Sequence, residues 1–263
     1  MSGPCFHLDD IAYAYHEKKE VISGLSIEVP EGRVTAILGP NGIGKTTFLH
    51  IALGWLKPLR GVVSLHDRPL GDYTRRELGR SVSLVPQSEH IAFDYSVLEY
   101  VLLGRSPYLK PLAMPGKEDV TAAEGALDEV GIRDLEDKPV HELSGGEAQM
   151  MLIARSLAQA PDVILMDEPT SHLDISNKVK VFNLIRRLSG RGVSIIMTSH
   201  EPDEAFAVSD FSILIGKSGD VFSGSTPAVM TAENLRIVYG VEIRVERVNG
   251  NTHFLWYEGS RGS

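Results

Sequence analysis

The sequence has little that would place it outside a reducing, aqueous compartment. Cys5 is its only cysteine, so no disulfide can form within the chain, and a reducing cytosol is the expected setting. No stretch approaches the ~20 successive apolar residues that a membrane span needs. Met1–Asp10 lacks the basic segment and apolar run of a signal peptide, so none is expected. A soluble chain is predicted, one that could still dock on a membrane protein. A basic surplus is missing too. The chain has 26 Lys and Arg against 35 Asp and Glu, a formal net charge of −9, and no Lys/Arg run, which argues against a nucleic-acid partner. Internal repeats and low-complexity segments are also lacking. Against these absences, 43% hydrophobic content in 263 residues suits one large α/β domain, or one domain with an inserted lobe.

The chain is organised around Gly39-Pro40-Asn41-Gly42-Ile43-Gly44-Lys45-Thr46-Thr47, which fits the G-x-x-x-x-G-K-[ST] phosphate-binding loop. Arg33–Leu38 before it reads as a buried strand, and Lys45–Leu53 after it as a helix with Phe48, Leu49, Ala52 and Leu53 on its apolar face. The glycines let backbone N–H groups converge on one anion, and the helix N-terminus adds the positive end of its dipole. Lys45 would neutralise the β- and γ-phosphates of a nucleotide and the Thr46 hydroxyl would ligate Mg²⁺.

Upstream, Phe6, Leu8, Ile11, Tyr13 and Tyr15 alternate with a slip at Asp9-Asp10, which predicts a bulged strand, and Val21–Val29 predicts a second. Val62–Leu65 and Ser81–Val85 read as strands around a short helix near Thr74–Leu78. From Ser88 to about Pro161 no strand is expected. Ser96 with Glu99 forms a capping box opening a helix over Val97, Leu98, Val101 and Leu102; Pro107, Pro111 and Pro115 predict a loop; a helix from about Glu118 stops at Gly131. This region reads as a helical lobe inserted at about 88–161. Strands return at Asp162–Met166, Val193–Met197 and Phe211–Ile215, with helices over Ser176–Leu188 and Pro202–Val208 between them. Val241, Ile243 and Val245, the Asn249-Gly250 turn and Thr252–Tyr257 predict a C-terminal hairpin.

Two further motifs carry chemistry. The apolar run Val163–Met166 ends in Asp167-Glu168-Pro169, the Walker-B pattern of P-loop ATPases. Asp167 would hold Mg²⁺ at the strand's C-terminal end, and Glu168 could orient and activate the attacking water. Leu143-Ser144-Gly145-Gly146-Glu147 opens an amphipathic helix bearing Ile153, Ala154, Leu157 and Ala158, and offers a serine hydroxyl and glycine N–H groups as a second phosphate site.

With this third motif the chain resembles the ATP-binding cassette (ABC) ATPases. The resemblance runs from about Phe6 to Tyr239 and implies a P-loop NTPase fold of the α/β class. That fold has a RecA-like core, an N-terminal antiparallel β region and an inserted helical lobe, within an ATPase domain at 1–240 and with the hairpin and tail at 241–263. It implies that ATP is bound by two copies head to tail, with Ser144, Gly145 and Gly146 touching the partner's nucleotide. Gln87 matches the Q-loop glutamine, which meets Mg²⁺ and water. Asp174 in Ser171-His172-Leu173-Asp174 matches the D-loop residue contacting across the dimer. His200 matches the switch histidine that meets the γ-phosphate, and Tyr15 the aromatic that stacks on adenine. Departures are small: Glu147 stands where glutamine is common, and Ala148-Gln149-Met150 replaces a frequently basic stretch.

Leu102-Leu103-Gly104-Arg105-Ser106-Pro107-Tyr108 looks like the importer ATPases for iron-siderophore, haem, cobalamin and related metal uptake, with molybdate-type oxyanion importers close by. The resemblance then implies a peripheral subunit on the cytoplasmic face of the membrane. Its partners would be two transmembrane permease subunits, docked near Ser88 to Arg105, and, indirectly, a periplasmic or extracellular substrate-binding protein. The competing readings are an exporter ATPase, usually fused to membrane spans, and a non-transport ABC machine, which would show a long coiled-coil insertion or two cassettes per chain.

Overall fold

The slip at Asp9-Asp10 is a true bulge. In the computed structural model, which describes residues 3–15, 20–248 and 250–257, β1 (Pro4–Tyr13) pairs antiparallel with β2 (Ile22–Pro30) and its register shifts between Leu8 and Ile11. Asp10 takes a positive φ of 48° there, and its carboxylate accepts from Arg60 Nε at 2.6 Å. The strand ends at Tyr13, short of the expected Tyr15. Next come β3 (Val34–Leu38), α1 (Lys45–Ala52), β4 (Arg60–Leu65) and the two-residue β5 (Arg68–Pro69). β2, β1, β4 and β5 form one antiparallel sheet in that order. Its inward residues Phe6, Leu8, Ile27, Val29 and Leu65 are buried, as period-2 alternation requires.

Residues 71–193 make a compact unit of their own. α2 (Arg75–Ser81) is opened by a Thr74–Glu77 capping box, and β6 (Val82–Val85) follows. α3 (Val97–Leu102) starts at the predicted Ser96–Glu99 box. The proline loop proves partly helical: Leu103–Tyr108 is a 3₁₀ helix that includes Pro107. It is pinned by side chains the periodicity could not reveal. Arg105 lies over the Tyr108 ring at 3.8 Å and donates to Asp119 and to the Ala158 carbonyl, while the Tyr108 hydroxyl donates to the Gln159 carbonyl. Gly104 is required because a Cβ there would lie 2.2 Å from the Arg155 carbonyl oxygen. α4 (Lys117–Val130) stops at Gly131, which is left-handed at φ 77°. The Gly116 N–H and then Arg105 hold the Asp119 carboxyl at the start of α4 below the usual range. α5 (Gly145–Ala158), β7 (Val163–Met166) and α6 (Ile175–Ser189) complete the unit. β6 and β7 pair in parallel, and β7 is wholly buried. Among the described residues, 88–161 holds no strand, only the isolated bridge Ser96–Pro139.

The other compact unit joins 1–70 to 194–263. β8 (Ser194–Ser199), α7 (Pro202–Val208), β9 (Phe211–Ile215), β10 (Val221–Ser225), α8 (Thr226–Val229) and α9 (Ala232–Tyr239) lead to β11 (Glu242–Val248) and β12 (Asn251–Tyr257). β3 lies between β8 and β9, parallel to both, and every residue of β3 and β8 is buried. β10 adds an antiparallel edge to β9. β11 and β12 form the expected hairpin; Asn249 of its turn lies outside the described residues, and Gly250 has φ 82°. No helix among the described residues is long and apolar enough to cross a membrane.

Candidate functional site

The phosphate loop follows from the burial of β3. A strand enclosed on both sides must end in a turn, and Gly39 makes that turn where a Cβ would lie 2.4 Å from the Ile215 carbonyl oxygen of β9. The loop closes with Ile43 N–H donating to the Pro40 carbonyl, then enters α1 through Gly44 at φ 103°. No side chain caps α1, and its first turn carries no acid. An uncapped helix N-terminus of this kind is open to an anion. Lys45 is buried yet extends back along the loop, its Nζ donating to the Gly39 carbonyl at 2.9 Å, so the ammonium is held over the loop. Asn41 and Gly42 at the tip and Thr46 in the first turn are exposed, whereas Thr47 is buried. The Tyr15 hydroxyl lies 3.2 Å from the Thr47 Oγ, and its ring stands edge-on to Tyr13 at 5.0 Å. Tyr15 therefore lies beside the loop's helix, partly exposed.

His200 also lies in this unit, at the end of buried β8. It occupies the short connection into α7, 47% exposed and 3.8 Å from the Glu201 carboxylate. The Glu201 N–H donates to Ser199 Oγ at 3.0 Å, which shapes the connection.

Within 71–193 the remaining candidates gather in two groups. Asp167 and Glu168 leave the end of β7. Asp167 is nearly buried, its N–H bonded to the Val85 carbonyl, and Glu168 adopts a left-handed φ of 45°. That backbone, unusual for a glutamate, turns its side chain to meet Gln87, whose Nε2 donates to Glu168 Oε2 at 3.2 Å. The pairing of Gln87 with Glu168 is thus formed within one unit. In the second group, Ser144 is the N-cap of α5. Its Oγ accepts from the Glu147 N–H at 3.4 Å while the Glu147 carboxylate accepts from the Ser144 N–H at 2.8 Å. That backbone bond, more than Lys138 at 3.5 Å, pulls the Glu147 carboxyl below its ordinary range. Asp174 is the N-cap of α6; it accepts from the Asn177 N–H at 2.8 Å, which is the main cause of its lowered pKa, and from Ser176.

One contributor escaped the motif reading. Asn177 donates from Nδ2 to Asp174 and sits so close to Gly146 that a Cβ there would lie 2.4 Å from it. Gly146 and Asn177 therefore line one polar cavity of about 560 Å³ with Ser144, Glu147, Ser176 and Lys180. The only local signal for Asn177 was its place three residues after an N-cap aspartate.

The donors read as Mg²⁺ ligands are a hydroxyl, an amide and a carboxylate. Such hard oxygen ligands suit Mg²⁺, which is usually held by one or two protein groups plus phosphate and water. Thr46 is exposed at the N-terminus of α1, Gln87 is exposed, and Asp167 sits at a strand end, so all three fit that use.

The family model described as ABC transporter matches residues 22–171. A probable iron chelatin transport ATP-binding protein of Helicobacter pylori is 35% identical, over 88% of this chain and 91% of its own. A molybdate import ATP-binding protein of Haemophilus influenzae is 32% identical, over 88% of this chain and 87% of its own. Among solved structures, an inward-facing ABC transporter assigned to the metal-chelate type is similar with a TM-score of 0.86 and 30% identity, covering 98% of this chain and 99% of that one.

Proposed function

Since this chain belongs to the ABC transporter ATP-binding family, we propose that it powers an importer that takes up a metal chelate, or a related metal or oxyanion. The chain is an ATPase that hydrolyses ATP to drive transport. The named relatives span an iron chelatin and molybdate, and this spread supports the substrate class without narrowing it. Two copies sandwich two nucleotides head to tail on the cytoplasmic face of a membrane, beneath two permease subunits fed by a substrate-binding protein. The surface around Ser88–Arg105 receives the permease; the exposed Phe93 and Leu103 support that assignment.

In this reading the residues divide the work. Gly39 to Thr47 cradle the phosphates through backbone N–H groups, and Lys45 neutralises their charge. Tyr15 stacks on the adenine. Glu168 orients water and takes its proton, held in place by Gln87, and His200 donates to the γ-phosphate. Ser144, Gly145 and Gly146 complete the site of the second copy, with Asp174 at the dimer contact. Thr46, Gln87 and Asp167 would hold Mg²⁺, which would supply charge to neutralise the phosphates.

The observation that carries this reading is the Gln87–Glu168 hydrogen bond at the end of buried β7, which fixes a carboxylate in the left-handed turn after an apolar strand. The test is Glu168→Gln. Hydrolysis should fall by about 10²–10⁴-fold, while ATP still binds and gel filtration with ATP shows a dimer. A monomer profile with near wild-type hydrolysis would refute the assignment. Uptake assays with metal-chelate and oxyanion ligands, run with the permease present, decide the cargo.

A further inference from the structure

We propose that the C-terminal hairpin positions the switch segment 200–202 for ATP hydrolysis, with Asp203 and Trp256 as its positioning residues. The inference rests on the reading of His200 as the γ-phosphate contact.

A two-stranded hairpin is marginal by itself, so its order must come from where it is fastened. It is fastened to α7, the helix that His200 and Glu201 lead into. Asp203 in the first turn of α7 accepts from the Phe254 N–H at 3.2 Å and lies 3.7 Å from His253 Nδ1. One turn further on, Phe206 meets the Phe254 ring at 5.5 Å, edge to face. The hairpin therefore grips α7 on one face at positions i and i+3.

Cross-strand pairing puts Ile243 opposite Trp256 and Val245 opposite Phe254, so these four share one face. Ile243 and Phe254 are buried, at 7% and 2% exposed, but Trp256 on the same face is 61% exposed. It is open because it faces a cavity of about 360 Å³. His200, Glu201 and Pro202 bound this cavity on one side, and Tyr239, Ile243 and Trp256 on the other. The Tyr239 hydroxyl is buried there without a well-formed hydrogen bond, and the Gly39 backbone of the phosphate loop is the polar group that acts on it. The hairpin and the end of α9 thus form the wall that faces the switch segment across the cavity, and the cavity is the room that segment has to move. A wall at that place limits where the imidazole can go, and a misplacement of even 1 Å at a reacting group can cost on the order of a hundredfold in rate.

The test uses the full chain. Trp256→Ala should lower kcat on the order of tenfold while the KM for ATP stays near wild type. Trp256→Phe should recover most of the rate. In a His200→Ala background, Trp256→Ala should cost nothing further. Trp55 and Trp256 are the two tryptophans, so Trp55→Phe makes emission report on Trp256 alone. ATP should change that emission, and His200→Ala should abolish the change. Wild-type kcat in Trp256→Ala beside an impaired His200→Ala overturns the proposal alone. Equal rate losses from Trp256→Ala with and without His200 overturn it as well. Wild-type turnover in His200→Ala removes the reading of His200, and the proposal with it. Should Trp256→Ala not fold, the emission measurement decides, and an emission indifferent to ATP overturns the proposal.

Discussion

Two helix N-termini in this molecule were read from sequence as phosphate sites, and they are built in opposite ways. α1 opens at Gly44 with no side-chain cap, no acid in its first turn and a lysine held over the loop. α5 opens at Ser144 with a complete capping box, whose Glu147 carboxylate accepts from the Ser144 N–H and sets a negative charge at that end. The first end is open for an anion. At the second end the Ser144 and Glu147 N–H groups are satisfied by the capping box, and Gly146 rests against Asn177. Two glycine-rich turns before a helix therefore need not be equally open to an anion. What decides is whether the chain has already supplied an acceptor of its own. In the proposed dimer, the γ-phosphate of the second copy would compete with Glu147 at Ser144.

The contrast can be broken in three places. The largest effect belongs to Lys45. A charge-assisted hydrogen bond contributes about 1.5–3 kcal/mol, so Lys45→Ala should weaken ATP binding roughly 10- to 150-fold, measured by titration with a fluorescent nucleotide; unchanged affinity would mean that α1 is not the phosphate site. Next comes Ser144→Ala, which should leave ATP binding to the isolated chain intact yet lower hydrolysis by about 10²-fold, the scale of losing one oxyanion donor. Mixed with Lys45→Ala, it should regain activity, because each heterodimer keeps one intact composite site; activity no better than in either homodimer counts against a role in trans. The smallest effect belongs to Glu147→Gln. Removing the carboxylate while keeping the cap geometry should tighten ATP-dependent dimerisation roughly two- to fivefold, the range of a helix-dipole charge interaction; weaker dimerisation in analytical ultracentrifugation would show that the acid does not compete.

The same glutamate gives a pH dependence with a defined sign. Its folded pKa is depressed by the Ser144 N–H. The stability from the cap is therefore in place above the unfolded glutamate value and is lost as pH falls through the lowered folded value. Thermal melts of Glu147→Gln and the parent should converge toward the acid end of that window.

Much of this architecture was legible because local signals agreed with the tertiary outcome. The apolar run of β3, the Ser96–Glu99 box and the Gly131 stop each named an element that the structure contains. What stayed hidden depends on neighbours distant in sequence. β10 is Val221–Ser225, a short segment that ends in Ser-Gly-Ser and becomes a strand because β9 offers it an edge. α9 had a start at Thr231 and a stop at Gly240, but only Leu235 and Val238 mark its buried side. The Leu102–Tyr108 stretch resembles the importer ATPases, and the structure adds that its Gly104, Arg105 and Tyr108 clamp the end of α5. At the candidate site, Glu168 and Gln87 were nameable from motif position. The left-handed turn that brings them together, and the contact of Asn177 with Gly146, were not, since neither leaves a local pattern.

That left-handed turn has a consequence for how stability and turnover trade. A glutamate held at φ 45° carries a conformational cost of about 1–3 kcal/mol. Asparagine tolerates this backbone far better, so Glu168→Asn should be inactive and yet melt a few degrees higher than the parent, roughly 2–4 °C per kcal/mol recovered, whereas Glu168→Gln, with the same backbone preference as glutamate, should melt near the parent. The fold and the proposed reaction thus ask for different residues at position 168.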